Sequence, residues 1–360
     1  MTTQVKTIGL MADPGLPEKL AATVAADLCG QLSRDGQAPV RWEVEVSQQS
    51  LPIAADGQIP LMAQAQALRD SHGWDYLVYL TDLLRSHDEE PMVCEVSSTA
   101  QAAMICLPAL GAYRLRTKTR KLVVTLMESV QEGTEDFPSS RAARTALGHK
   151  AVRREPVAGA GDTSYVVLPG TLNQLRLLAG MVRSNRPGRL LTALSGCVAA
   201  AAATGAFGIF YASIWNMSDA LHPGRLTVIS AVVISALSAW LIASNGLWNR
   251  IRDATERWRA RVDNAATIIT VGLSVALMYV ILWALLFGLG LTVIASDYLG
   301  SQLDHPADLT DYLHLSWLAA SLGTLAGALG LNFDSHEAIR EATYSRREHE
   351  RRRLADDYGH

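Results

Sequence analysis

The sequence predicts an α/β cytoplasmic domain built on a mixed sheet, parallel with an antiparallel edge, followed by an all-α four-helix transmembrane bundle. Three observations carry that expectation. Charge is divided unevenly, because 19% of the 360 residues are charged yet long stretches beyond residue 190 hold almost none. The first 185 residues alternate strand-like and helix-like patterns, the order that builds a sheet covered by helices. Clusters of arginine flank the apolar runs on one side only.

Element by element, "QVKTIGLMA" reads as a strand, and "DPGLPEKLAATVAADLCGQLSRDG" as a helix with an Asp cap, an early Pro and a Gly stop. "VRWEVEVSQ" alternates as a half-buried strand does. "LMAQAQALRDSHG" is a helix and "DYLVYLTD" a largely buried strand. "PMVCEVSST" and "AAMICLPAL" pair through a tight connection, and "RLRTKTRKLVVTLMESVQEG" is an amphipathic helix that closes a core over 1–132. Residues 133–189 begin with a polar, Gly/Pro/Ser-rich excursion that reads as a mobile loop near a membrane. They continue with a last strand, "SYVVLPG", and a juxtamembrane helix, "TLNQLRLLAGMVRSN", whose Leu172, Leu175, Leu178 and Val182 form one stripe.

Four runs within 190–333 qualify as spans: 190–215, 226–248, 265–295 and 313–333. Each can cross a hydrocarbon core of about 30 Å. The third, at about 46 Å if straight, must tilt, protrude or bend near Gly288 and Gly290. Aromatic residues near the span ends (Tyr211, Trp215, Trp248, Tyr298 and Trp317) suit an interfacial belt.

The segment "NRIRDATERWRARVDN" carries Arg250, Arg252, Arg257, Arg259 and Arg261, and residues 334–360 form a basic tail. By contrast, "SDYLGSQLDHPADLTDYLH" holds four Asp and no Lys or Arg. Positive residues on short loops stay in the cytoplasm, so the expectation is a multi-pass plasma (inner) membrane protein with both termini cytoplasmic. The arginines also suit lipid headgroups, with Ile251, Ala254, Trp258 and Val262 on one helical face; a hairpin packed on the soluble domain explains the pattern equally well. Interspersed Asp253, Glu256 and Asp263, with a pI near 6.3, argue against a nucleic-acid partner. The N-terminus lacks the features of a signal peptide. Four scattered cysteines, without a CxxC pair, suit a reducing compartment.

No Asp, Glu, Lys, Arg or His lies within the spans except at their margins, unlike the spans of most ion pumps. Ala319, Gly323 and Gly327 instead make a small-residue face for close helix packing, within the chain or in a homo-oligomer.

In the soluble half, Asp13 and Asp82 follow the first and third strands, with His87 and Asp88 just beyond. Ligands gather at the carboxyl ends of parallel strands, so neighbouring strands would let these residues bind a cation or a ligand hydroxyl. The alternative is a helix cap at Asp13 and a turn residue at Asp82. No phosphate-binding loop, nucleophile elbow, metal-ligand spacing or cofactor motif is legible.

The stretch "WDYLVYLTDLLRSHDEEPMVCEVSSTAQAAMICLPAL", with the helix after it, resembles the sheet-then-helix arrangement of archaemetzincin-like zinc proteases over about 60 residues. That family's next helix bears HExxH. Here it reads "KLVVTLMESV" without His, and His336-Glu337 and His349-Glu350 lack the second ligand. The resemblance therefore implies a zincin-like fold with a lost metal site. The whole chain resembles Ala- and Arg-rich integral membrane proteins of the actinobacterial type, which implies no particular activity.

The expected function is a membrane-anchored regulatory module whose cytoplasmic domain binds a ligand or a protein partner, without an enzymatic site. Two alternatives are a transporter or channel subunit gated by that domain, and a membrane-bound hydrolase using Asp13, Asp82 and His87.

Overall fold

The computed structural model describes residues 4–32, 40–54, 58–131, 144, 147, 153–156, 163–249 and 257–357. They fall into two compact units, Met1–Ser184 with Tyr344–His360, and Asn185–Thr343.

The first unit is built on strands β1 (Gln4–Ala12), β2 (Val40–Ser47), β3 (Tyr76–Thr81), β4 (Ser86–His87), β5 (Glu90–Ser97), β6 (Ala102–Cys106), β7 (Arg153–Pro156) and β8 (Thr163–Val167). Their order is β2-β1-β3-β6-β5-β8-β7, with β4 hairpinned on β5. β2, β1, β3 and β6 run parallel, and the remaining pairs are antiparallel. Every residue of β3 is buried, as a parallel strand covered on both faces requires. β7 lies within the excursion that the sequence suggests is a loop.

Helices α1 (Leu16–Leu32), α2 (Leu61–His72), α3 (Leu107–Leu110), α4 (Leu115–Gln131) and α5 (Thr171–Asn185) complete the described layers of this unit. The crossovers β1-α1-β2 and β2-α2-β3 run in opposite directions along the sheet, so right-handed connections put α1 and α2 on opposite faces. On the α2 face, Leu61 and Ala65 pack with Met11, Leu77, Tyr79 and Met104. A two-pronged Arg116–Asp27 contact at 2.8 and 2.6 Å ties α4 to α1.

The α5 stripe differs from expectation. Leu172 and Leu175 are exposed, whereas Leu177, Gly180 and Met181 are buried. Gly180 explains the choice of face, because a Cβ there would strike the Pro108 carbonyl. Arg176 then donates to the Leu110 carbonyl at 3.0 and 2.9 Å, and Arg183 to that of Ala112 at 2.8 Å.

The second unit comprises α6 (Gly188–Ala193), α7 (Ser195–Ile209), α8 (Ala212–Asp219), α9 (Pro223–Ser244), α10 (Arg257–Val293), α11 (Ser296–Leu303), α12 (Leu309–Gly330), a 3-10 turn (Leu331–Phe333) and α13 (His336–Thr343). α9, α10 and α12 are long and apolar enough to cross a membrane. A fourth crossing results if Thr171–Ala193 and Ser195–Ile209, bent by 61°, count as one span. The first expected span, 190–215, is thus three helices, with α7 only about 22 Å long. The third shows no break at Gly288 or Gly290; α10 runs unbroken for 37 residues, about 55 Å.

α12 packs on α7 through small residues. A Cβ on Gly327 would lie 3.1 Å from the Cys197 carbonyl, and Cβ atoms on Gly323 and Gly330 would come closer still to Ala201 and Gly196. Ala319 meets Gly205 and Gly208 on the same face. Asp334 closes the pair by accepting from the Gly196 and Cys197 amides at 2.7 and 3.0 Å. Among α9, α10 and α12, the Tyr279 hydroxyl meets Ser230 at 2.9 Å and Ser321 at 2.8 Å, and Trp317 donates to Ser230 at 2.6 Å. Trp317 and the buried Trp215 therefore face inward, not toward an interfacial belt. Arg250, Arg252, Ile251 and Ala254 lie outside the described residues; Arg257, Arg259 and Arg261 sit in the first turns of α10, where Trp258 and Val262 are buried.

The chain then returns to the first unit as α14 (Arg346–Asp357). "SRRE" starts this helix as a capping sequence, with the Glu348 amide donating to Ser345 Oγ at 3.3 Å. The segment read as a basic tail is thus divided between α13 of the second unit and α14 of the first, whose Leu354 packs against the α2-face cluster.

Candidate functional site

β1 and β3 are hydrogen-bonded neighbours in parallel register, and the Asp13 amide extends the ladder by donating to the Leu80 carbonyl at 2.9 Å. Asp13 and Asp82 therefore stand side by side at the carboxyl ends of adjacent strands. Neither carboxylate is at the surface: Asp13 is 0% exposed and Asp82 6%. The cap reading of Asp13 holds only for its backbone, whose carbonyl accepts from the Glu18 amide at 3.1 Å. Its side chain points elsewhere.

Asp13 Oδ1 accepts from the Tyr79 hydroxyl at 2.6 Å and from Arg347 Nε at 2.6 Å. Tyr79 Oη in turn accepts from the Leu51 amide at 3.1 Å, which fixes the loop after β2 beside the site. Arg347 comes from the first turn of α14 and is 3% exposed. It also donates to the Leu51 carbonyl and, at 2.7 Å, to Glu350 Oε2. Ser345, the residue before α14, hydrogen-bonds to Asp82. Glu348 stands close enough to Asp82 to repel it, and pairs with Arg351 at 2.6 Å and Arg352 at 2.9 Å.

Burial pushes the Asp13 carboxyl up, and the Arg347 charge, with hydrogen bonds from Thr81 and Tyr79, opposes that push. Asp82 has no guanidinium of its own. Burial first, and then the Asp13 charge, push it up to about 8. Both carboxyls of the pair are thus held above the ordinary carboxylate range, Asp82 the more strongly because no guanidinium bonds to it. Tyr79 is raised as well, by burial and then by Asp13, so its hydroxyl remains a donor. Asp13 Oδ2 and Asp82 Oδ1 are buried without a hydrogen-bond partner. Unmet acceptors of this kind cost stability, about 1–3 kcal/mol each for an ordinary polar group.

His87 and Asp88 do not join this pair. They lie 3.7 Å apart on the β4 hairpin, with the His87 ring 5.0 Å from that of Tyr165 on β8. β8 is three strand spacings from β3, roughly 14 Å across the sheet. Sequence reasoning found the two aspartates from their places after strands. It missed Tyr79, hidden in an unbroken apolar strand, and the contributions of Ser345, Arg347 and Glu348. "SRRE" was the one legible signal there, and it marks a helix start without saying where the helix docks.

In the second unit, ligand atoms of Asp219, His305 and Asp311 lie within 4.8 Å of one another, the one such group among the described residues. The arrangement has a structural explanation. His305 Nε2 meets Asp219 at 3.3 Å, while Asp311 and Asp308 form the capping box of α12.

The chain matches no protein-family model, no curated protein and no solved structure.

Proposed function

We propose that this is a multi-pass plasma-membrane protein whose cytoplasmic α/β unit is a ligand- or partner-binding module, with Asp13 and Asp82 as its binding point. The observation that carries the reading is the carboxylate pair itself: two buried acids on adjacent parallel strand ends, where ligands of such sheets collect, each with an oxygen unpartnered. A pair retained at that cost is better explained by binding than by stability, because buried charge seldom stabilises a fold. His87 stands apart from the pair, so the hydrolase reading loses one of its three residues. The Tyr279, Ser230, Ser321 and Trp317 cluster satisfies itself, which supports bundle packing over a polar transport path.

Parity supports the topology. Segments on both sides of the apolar helices belong to one compact unit, so an even number of crossings must separate Ser184 from Tyr344. Four crossings meet that requirement, with the α6–α7 part of the bent pair as the first and α5 kept in the compact unit. The arginines at the start of α10 and the acidic stretch from Asp297 to Asp311 support a cytoplasmic compact unit. Exposed Leu172 and Leu175, beside Arg176 and Arg183 on α5, suit contact with lipid headgroups.

Gentle extraction of the full chain from native membranes, followed by mass spectrometry of bound proteins and small molecules, tests the reading. A companion retained by the wild type or by Arg347→Ala, and lost in Asp13→Asn, is the expected result. Identical, empty preparations from all three would refute it.

A further inference from the structure

The side chain that fills the strand-end site belongs to the chain itself, and its contacts define what the site recognises. Arg347 presents Nε to Asp13 and one Nη to the Leu51 carbonyl, with the Tyr79 hydroxyl 3.4 Å away. Acceptors that engage Nε and an Nη of one side chain together suit a forked donor better than a point charge. The other Nη reaches Glu350, on its own helix, so the socket itself consists of Asp13, Leu51 and Tyr79. The occupancy is incomplete, since Asp13 Oδ2 and Asp82 Oδ1 still lack partners around a buried guanidinium. The covering element is also a light one. α14 is 12 residues long and strongly polar, and among its described residues Leu354 packs on the core cluster beneath.

We propose that the strand-end site is a guanidinium socket, filled in cis by Arg347 of α14, and that a guanidinium-bearing ligand displaces this helix to occupy it. Displacement exchanges one guanidinium for another at Asp13 and releases α14 from the strand ends. The ligand signal is thereby converted into an undocked helix. This inference rests on the binding reading above and narrows it to one ligand chemistry. The guanidinium can be that of a small molecule or of a partner's arginine.

The test uses the full chain in mild detergent, with hydrogen exchange along α14 as the readout. Ethylguanidinium at low millimolar concentration represents the small-molecule source, and a short arginine-containing peptide the partner source. Ethylammonium and the matching lysine peptide are the controls. In the wild type, either guanidinium probe is expected to speed exchange of the α14 amides about tenfold, with the lysine and ammonium probes inert. Whichever probe works at the lower concentration identifies the source. Arg347→Ala, checked for an intact sheet by circular dichroism, is expected to bind ethylguanidinium directly, and Arg347→Ala with Asp13→Asn is not.

Unchanged α14 protection together with no guanidinium binding by Arg347→Ala would overturn the proposal. Equal effects of the ammonium and guanidinium probes would overturn the guanidinium class. If Arg347→Ala instead retains a divalent ion or another metabolite from native membranes, the binding reading stands and the guanidinium inference falls. If it retains nothing and binds no probe, both fall.

Discussion

Arg347 and Asp13 are coupled so tightly that each is defined by what happens when the other is removed. Truncating one partner of a buried ion pair strands the other charge, which costs about 3–5 kcal/mol. Arg347→Ala is therefore expected to lower the stability of the α/β unit by about that amount, read as a shift in its denaturant midpoint. Arg347→Lys keeps the charge but loses the fork, and is expected to recover only part of the loss. Asp82 gives the site its pH dependence. Its folded value of about 8 lies above the ordinary 3.8, so the folded state holds a proton that the unfolded chain releases. Its stabilising contribution is fully present below about pH 4 and is lost as pH rises through 8. Thermal melts are expected to fall across that window in the wild type. Asp82→Asn is expected to flatten this slope, and an unaltered slope would contradict the assignment. At this scale Asp13 and Asp82 were legible because strand ends are legible. Arg347 was not, since 334 residues separate it from its partner and its neighbours' charges read equally well as a topology signal.

Among the elements, the α7–α12 pair shows how an apolar sequence carries packing information. "LGTLAGALG" marks a small face, and that face lies on Gly196, Ala201 and Gly205 of α7 within the same chain. Gly323→Val is expected to disrupt this pair, because the added carbons meet the Ala201 backbone, which cannot yield as a side chain can. The measurement is detergent-resistant folding, and the expected oligomeric state is unchanged because the face is already occupied. Tyr279→Phe removes hydrogen bonds without removing volume and is expected to cost about 0.6–1.7 kcal/mol. The break at Leu194 and the turn after Ile209 were not legible, because an uninterrupted apolar run reads the same whether its helix is straight or bent. The α5 stripe misled for a related reason. Leucine spacing gives a candidate face, but Gly180 decides which face can approach Pro108.

For the whole molecule, the division into a charged α/β half and an apolar helical half was readable from composition, and so was the parallel-then-antiparallel order of strands. What could not be read is that the C-terminal segment completes the N-terminal unit. Local patterning assigns α14 its helix through "SRRE" and its Glu–Arg pairs, but a non-local docking partner leaves no periodic trace. That return puts Arg347 within reach of Asp13, and under the proposed topology it calls for an even number of crossings. Single cysteines at Gln302 and Arg353, probed with a membrane-impermeant maleimide in intact and permeabilised cells, test this most directly. Labelling of position 302 in intact cells, and of position 353 only after permeabilisation, is the expected result. Reaction of position 353 in intact cells while the N-terminal unit stays protected would contradict it, since one compact unit cannot lie on both sides of a membrane.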